Sequence, residues 1–537
     1  MVEEYPDIGR RGICMRITNK MMTNSMMMNI NKNKNYLSRL DEQYSSGKKI
    51  QRPSEDPIVA VRALKLRTNL SELNQYYERN IPDAKSWMDV TESALDNINE
   101  ILTKINTDCV EGSNDPLEAS DRNSIVQRLV QYKKQIYQEG NSNYAGRYVF
   151  TGYKTDSSLS FTEYKDNLDY SITEKISGND IDRVSKVLNE YKLSDYSATP
   201  PLNTFSTAPE MVEVNRIRLA YEKLDAVDPS KVSIEYSVKD PTTGDVTNTV
   251  INTTGTTITV TDSAGTVTTT TNANKITLKT STDADTYKPG VDDIFLNTDT
   301  GEILLGSNMY NNFRVNEDFK VSYMKTEFYE GDLKPEHYFD CKVKDNKKPE
   351  LGEINYTKQD QQIQYEINFN QKLSINTQAS DAIQHDIGRN IDEVVKAVED
   401  VIATEKKIAE VEEMLKSSTL TGNQKESLES LKEKLNTTKV LKEKIMHDAF
   451  AKGNTASKEQ QETLNVAVSN HGSRYVRLQL TESRLSDQQV DYEDLLSTNE
   501  DVDLVDTYIK LNSAETVYNA SLSSAAKIVK NTLLDFI

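Results

Sequence analysis

The sequence predicts a mainly α protein in which long antiparallel helical rods, formed by paired N- and C-terminal regions, carry an inserted β-rich domain. Three observations lead there. Apolar residues recur at three-, four- and seven-residue steps over both ends of the chain. After Gly152 the helical period fades, and 18 threonines crowd between Thr242 and Thr282. The whole is lean in apolar residues, 36% with one tryptophan, Trp87, against 27 tyrosines, as suits helices that each bury one stripe.

At 537 residues the chain has room for several cores. Its 64 basic and 84 acidic residues leave a formal charge of -20, which repels nucleic acid and anionic membrane surfaces, so neither is an expected partner. Cys14, Cys109 and Cys341 are odd in number and far apart, and define no disulfide framework. No stretch is apolar for long enough to insert as a membrane span. The N-terminus also lacks the apolar core and small-residue cleavage site of a secretory signal.

The first fourteen residues carry Pro6, Gly9 and Gly12 and no period. They are expected to be a start-site artefact, with Met15 as the natural start, or a short disordered leader. From Met15 an amphipathic helix places Met22, Met26, Ile30, Leu37, Leu40 and Tyr44 on its apolar side, within a cluster that includes Met21, Met27 and Met28. Ser45, Ser46 and Gly47 stop it. The link from Lys48 to Pro57 includes Ile50 and contains Pro53 and Pro57, which forbid helix continuation. Asp56 is placed to cap a new helix opening at Pro57.

That second helix is long. Leu70, Tyr77, Ala84, Thr91, Ile98 and Ile105 recur every seven residues, and Ile81, Met88, Leu95, Leu102 and Cys109 form a companion stripe, a double line that suits a helix packed against several partners. Pro82 predicts a kink or local break. Gly112 to Pro116 ends the rod. Ile125, Leu129, Tyr132 and Ile136 mark a third, antiparallel helix, and Tyr148 to Gly152 reads as a strand entering a turn.

From 153 to about 375 the pattern is β-rich and irregular, with helical signals only near 181 to 191 and 210 to 226. The β-branched residues of 242 to 282 predict short antiparallel strands with one thinly covered face. Ile294 to Asn297 and Glu302 to Leu305 flank Asp299-Thr300-Gly301 as a hairpin. Helical period returns near Ala379. One helix carries Ile391 to Leu415, a second Leu428 to Ile445, and a third Leu464, His471, Leu478, Leu485 and Tyr492; a polar break follows at Ser497 to Asp501. The last helix carries Leu504, Tyr508, Leu511, Tyr518, Leu522, Ala525, Val529, Leu533 and Phe536 to the end of the chain. Two amphipathic ends of this kind bury their stripes only against each other or against neighbouring subunits.

The segments Ser45-Ser46-Gly47-Lys48-Lys49-Ile50 and Pro53-Ser54-Glu55-Asp56-Pro57 resemble the joint of the flagellin superfamily, and the second of them its hook-associated protein 3 family, the hook-filament junction proteins. Glu55 stands where Asp is commoner. The start at Met15, the segment Tyr148 to Gly152, and Glu500-Asp501-Val502-Asp503 with the closing Leu533-Leu534-Asp535-Phe536 are similar to the same family. The resemblance covers about 15 to 152 and 376 to 537; the insertion and a helical hairpin near 400 to 450 lie outside it.

It implies a structural, non-enzymatic subunit that forms a ring with copies of itself, between the first hook-associated protein and flagellin. The chain would leave the cell unfolded through the flagellar type III export apparatus, with an export chaperone covering its C-terminal helix and no cleaved signal peptide, and would reside at the extracellular hook-filament junction. The implied division is a terminal channel-lining region (15 to 56 with 499 to 537), a helical rod (57 to 152 with 376 to 498) and the inserted variable domain (153 to 375). Filament flagellin is the alternative reading, and an adhesin or enzyme on a flagellin-like frame the distant one.

Chemistry-bearing motifs are not expected to contribute. His337, His385, His447 and His471 lack metal-ligand spacing, and the His-Glu-x-x-His motif that some flagellins carry is missing. His471 reads as a packed residue on its helix. The glycine of Asn297 to Glu302 comes one position early for an EF-hand, so a hairpin turn is the reading there, and no phosphate loop is present. No cofactor or metal is expected.

Overall fold

The computed structural model describes residues 19–114, 118–197, 205–225, 231–240, 242–262, 264–315, 318–417 and 420–529. Met15 and the fourteen residues before it, together with Leu533 and Phe536, lie outside the described residues, as does the side chain of Val529. The chain forms two compact units: residues 1–82, 366–371 and 479–537 make the first, and residues 83–365 and 372–478 the second.

In the first unit, helix α1 (Asn19–Ser46) ends at Gly47, which adopts a left-handed φ of 71° and donates its N–H to Gln43 O at 2.9 Å. Helix α2 (Pro57–Gln75) starts under Asp56, whose carboxylate accepts from Ile58 N and Val59 N at 3.0 and 3.2 Å. Pro57 fills the first helical position, where its missing N–H costs nothing. The irregularity expected at Pro82 takes the form of a single π turn, Tyr76–Asn80, in which Ile81 N reaches back five residues to Tyr76 O. The wider turn takes up the disturbance of a residue that cannot donate to the carbonyl four positions back, and helix α3 (Ile81–Gly112) follows without a break. The extra residue also shifts the apolar phase upstream, so Leu73 is buried while Leu70 and Tyr77 are half-buried.

The helical part of the second unit combines α3 from Asp83 onward with helix α4 (Ala119–Gly140). Both expected stripes of α3 are buried: Ala84, Thr91, Ile98 and Ile105 on one, Met88, Leu95, Leu102 and Cys109 on the other. Ile125, Leu129 and Ile136 of α4 are buried with them, whereas Tyr132 is half-buried.

The strands come next along the chain. A two-residue hairpin of β1 (Asn143–Tyr144) and β2 (Arg147–Tyr148) precedes the buried Val149 and Phe150. Then come β3 (Leu168–Ser177), β4 (Asp182–Leu188) and β5 (Glu210–Arg218). The helical signals near 181 to 191 and 210 to 226 are therefore corrected, because β4 and β5 are strands paired antiparallel. Val214 and Arg216 sit two apart on a buried face, and that two-residue alternation outweighs the weak helical spacing.

Strands β6 (Ser233–Lys239), β7 (Val246–Asn252), β8 (Thr256–Thr261) and β9 (Val267–Asn272) form the threonine-rich meander, and every residue of β9 is exposed. Strand β10 (Ile276–Lys279) departs from the expected antiparallel pattern: it pairs parallel with β11 (Ile294–Asn297). Strand β11 and β12 (Glu302–Leu305) make the expected hairpin, with Gly301 at φ 64°. Helix α5 (Ser307–Val315), then β13 (Asp318–Lys325), β14 (Asp340–Asp345), β15 (Glu353–Tyr356), β16 (Gln364–Asn368) and β17 (Gln371–Ser374) complete the series. The large sheet has the order β15-β14-β3-β13-β6-β7-β8-β9, and the smaller one β10-β11-β12-β5-β4.

A short α6 (Ala379–Ala382) leads to α7 (Ile387–Leu415). Thr421 and Gln424 cap the next helix reciprocally: Thr421 N donates to Gln424 Oε1 at 2.9 Å and Gln424 N to Thr421 Oγ1 at 3.4 Å. That helix, α8 (Gly422–Glu500), is continuous over 79 residues, where the sequence reading had two. Gly453, the residue that weakens the helical pattern midway, is there for contact. A Cβ on it would come 2.8 Å from Val394 Cγ2 of α7 and 3.4 Å from Cys109 Sγ of α3. The far end of the α7–α8 hairpin is sealed by Val411, Leu428, Leu431 and Leu435 around Phe205, which comes from the β-rich segment. The chain's last described helix is α9 (Leu504–Val529), in the first unit.

Candidate assembly site

The first unit brings the two ends of the chain together. α1 and α9 run antiparallel, with Asn33 Nδ2 donating to Ser521 Oγ at 2.9 Å and the rings of Tyr44 and Tyr508 5.6 Å apart. The better-covered residues follow a seam of alternating four- and three-residue steps on each helix: Met26, Ile30, Asn33, Leu37 and Leu40 on α1, and Thr507, Leu511, Ala514, Tyr518, Ser521 and Ala525 on α9. Of the expected stripe, Met26, Ile30, Leu37, Leu40, Leu511, Tyr518 and Ala525 lie on this seam. Met22 and Leu522 do not; both are exposed, as are Leu504 and the two tyrosines of the ring pair. The reason is steric: small residues, Ala514 and Ser521, let the helices approach, and a count of large apolar side chains passes over them.

Below the seam the joint is tied by backbone. Lys49 N donates to Glu500 O at 2.6 Å and Val502 N to Gly47 O at 3.0 Å, so the link after α1 and the link before α9 form an antiparallel bridge at Lys48 and Asp501. Gln43 Nε2 adds a bond to Lys49 O at 2.6 Å, and Asn499 Nδ2 one to Val59 O at 3.1 Å. Ser46 Oγ donates to Glu42 O at 2.6 Å and accepts from Gln51 Nε2, closing the helix end. Ser45 Oγ makes only a long bond to the same carbonyl at 3.4 Å. Ile50 is half-buried, and Pro53 and Pro57 are exposed. Across the link, Asp503 Oδ1 caps α9 through Val505 N and Asp506 N at 2.9 and 3.1 Å.

Charge completes the tie. Lys48 Nζ lies 2.6 Å from Asp501 Oδ1 and 3.3 Å from Glu500 Oε2, and Arg67 Nη2 of α2 lies 2.7 Å from Glu500 Oε1. The Glu500 side chain is only 9% exposed. The Asp501 carboxylate raises the Lys48 ammonium pKa above its usual value; conversely, the bonds from Lys48 and Ser497 hold Asp501 below the usual carboxylate range. Lys48, Arg67, Asn499 and Glu500 were not among the residues the sequence singled out for this role. The signal was present as a Lys-Lys pair just after one helix stop and a Glu-Asp pair just before the other helix start.

The faces turned away from the seam carry exposed apolar side chains: Met21, Met27 and Met28 on α1, Ile58, Val61 and Leu64 on α2, and Val505, Ile509 and Val517 on α9. Ile509 is 58% exposed and Val505 71%. Among the described residues no cluster of His, Cys, Asp and Glu is arranged to hold a metal ion, and no helix is long and apolar enough to cross a membrane. His471 is buried against Met88 of α3, and burial lowers its pKa to about 4.

Comparison with known proteins bears on this joint. Residues 17–155 match the family described as the bacterial flagellin N-terminal helical region. The flagellar hook-associated protein 3 of Salmonella typhimurium is 32% identical over 145 residues, 27% of this chain and 45% of that protein. Its namesake from Escherichia coli is 30% identical over 153 residues, 28% of this chain and 47% of that one. A flagellin of Clostridium tyrobutyricum is 31% identical over 128 residues, 24% of this chain and 34% of that protein. The chain thus spans less than half the length of the curated relatives it matches. Among solved structures, hook-associated protein 3 of Legionella pneumophila aligns over 81% of this chain and 97% of its own at 11% identity and a TM-score of 0.27. FlgL of Xanthomonas campestris aligns over 78% and 99% at 14% identity and a TM-score of 0.19, and at such scores neither carries an argument about this chain. Over residues 17–155 the matched region and the named relatives agree with the resemblance that the sequence carries.

Proposed function

We propose that this chain is a structural, non-enzymatic subunit of the bacterial flagellum that joins hook to filament. One observation carries the reading: the two chain ends are clamped to each other at Lys48–Asp501, while the outer faces of α1, α2 and α9 keep large apolar side chains that nothing among the described residues covers. A monomer seldom leaves such surface bare unless other molecules cover it.

In this reading the α1–α9 pair lines a central channel, and neighbouring copies cover Val505, Ile509 and Met28 to close a ring. The ring sits between the first hook-associated protein and flagellin, outside the cell, and the segment 153–375 forms the variable domain. The chain is exported unfolded by the type III apparatus, and a chaperone covers the C-terminal stripe beforehand. Ser45, Ser46, Gly47, Ile50, Pro53, Asp56 and Pro57 set the angle between channel-lining and outer helices.

A filament flagellin is the second reading, favoured by the flagellin match at similar identity. Deleting the gene separates the two. Loss of a junction subunit leaves hooks intact and releases flagellin into the medium as monomer. Shortened filaments without that release would instead mark a filament flagellin.

A further inference from the structure

Away from the joint, the second unit encloses a polar cavity of about 80 Å³ beside the first turn of α7. Two cationic side chains line it without forming a salt bridge among the described residues. Lys325, at the end of β13, is 2% exposed, and its ammonium donates to Glu222 O at 2.7 Å. The rings of Phe328 and Tyr221 lie 5.3 and 6.0 Å from its Nζ. Arg389 donates from Nη2 to Thr300 O at 2.6 Å, while its Nη1 is enclosed with no hydrogen-bond partner. Among the described residues neither cation forms an ion pair.

Carboxylates act on both from beyond salt-bridge distance: Asp332 and Glu222 on Lys325, and Glu222, Glu302 and Asp392 on Arg389. Lys133 is paired with Asp392, Glu222 and Lys223 are exposed, and Asp332 accepts from Tyr329 N at 2.9 Å. Burial pushes the Asp332 carboxyl up, toward its neutral form, and lowers both Lys325 and Arg389. Four basic against three acidic groups on the lining leave one positive charge in excess. The 29-residue α7 begins here, and the positive end of its dipole is offset in part by the Asp386 carboxylate, which accepts from Asn390 Nδ2 at 3.2 Å.

We propose that this cavity binds a small inorganic oxyanion of phosphate or sulfate type, held by the Arg389 guanidinium and the Lys325 ammonium beside the start of α7. A buried ammonium and guanidinium without a salt-bridge partner are costly, and a helix N-terminus is a ready anion site. A cavity this size admits several water-sized spheres, enough for one tetrahedral ion. Guanidinium and ammonium groups are the usual phosphate donors. Such an ion would fasten β13 and the loop around Glu222 to α7, tying the β-rich segment to the helical core of its unit.

The test uses the full chain in buffer whose ionic strength is held constant with gluconate, too bulky for the cavity, while phosphate or sulfate is added. The unfolding temperature is expected to rise by a few degrees and saturate. Arg389→Gln should weaken the apparent affinity about tenfold or more, and Lys325→Met should remove the response. A wild-type chain that responds to phosphate no more than to gluconate overturns the proposal, as does an Arg389→Gln chain with the full response. Equilibrium dialysis of wild-type protein against labelled phosphate tests it without any variant: one ion retained per chain and displaced by sulfate supports the site, and none retained sinks it.

Discussion

In the second unit the faces of α3 are buried on two stripes, and α4, α7 and α8 supply the partners; in the first, α1 and α9 share one narrow seam and leave apolar side chains on their outer sides. The difference is also electrostatic. Arg216 of β5, 3% exposed, is enclosed by Asp182, Glu302 and Glu393 at 2.6 to 2.8 Å, whereas Lys48 and Arg67 meet Glu500 with much of their own side chains in solvent. The second unit covers both stripes of α3 from within the chain. The first is held in register by a few directional bonds and left open for neighbours, and that combination suits a subunit whose ends are completed by assembly.

The sharpest way to break the comparison is Arg216→Ala. It strands three carboxylates around a buried gap and should cost the second unit about 3–5 kcal/mol in urea unfolding; a loss under about 1 kcal/mol would mean that the network is not closed. Glu500→Gln should cost about 1–2 kcal/mol, because its partners remain solvated. Hydrogen exchange at Lys49 N and Val502 N reads that loss locally.

Acid separates the units again. Burial alone would raise the Glu393 carboxyl, but Arg216 and Arg218 hold it at about 2. A depressed carboxylate contributes stability above its unfolded pKa of about 4.3 for Glu, and that contribution disappears as pH falls through the folded value. Asp501 is also depressed, through its bonds from Lys48 and Ser497, on a far more solvated site. Lowering the pH should therefore cost the Arg216 network more stability than the joint, as monitored by exchange or near-ultraviolet dichroism. The smallest effect on the isolated chain is expected from Ile509→Glu: monomer stability changes by less than about 0.5 kcal/mol. Sedimentation of concentrated protein should nevertheless show association lost.

What the sequence disclosed follows physical range. Caps and turns are local, so Asp56 before Pro57, Gly47 after the helix and the hairpin around Gly301 could be read directly. The stripes of α3 were equally plain because every position on them is buried and all but Thr91 are apolar. The seam of α9 was only half legible: Leu511 and Tyr518 announce themselves, but Ala514, Ser521 and Thr507 are identified by what packs on them, and Leu522 belongs to an outer face. The continuity of α8 through Gly453 depends on Val394 and Cys109, which are remote in sequence. Strands β4 and β5 were misread because the ion pairs of Arg216, which let a charged residue occupy a buried strand position, come from three separate segments.

The central claim is that the open first unit is completed at the hook-filament junction. Electron microscopy of isolated flagella labelled with gold antibody against the exposed β9 strand tests it most directly. The account predicts a single band of label where hook meets filament; label spread along the whole filament, or missing from flagella altogether, would contradict it.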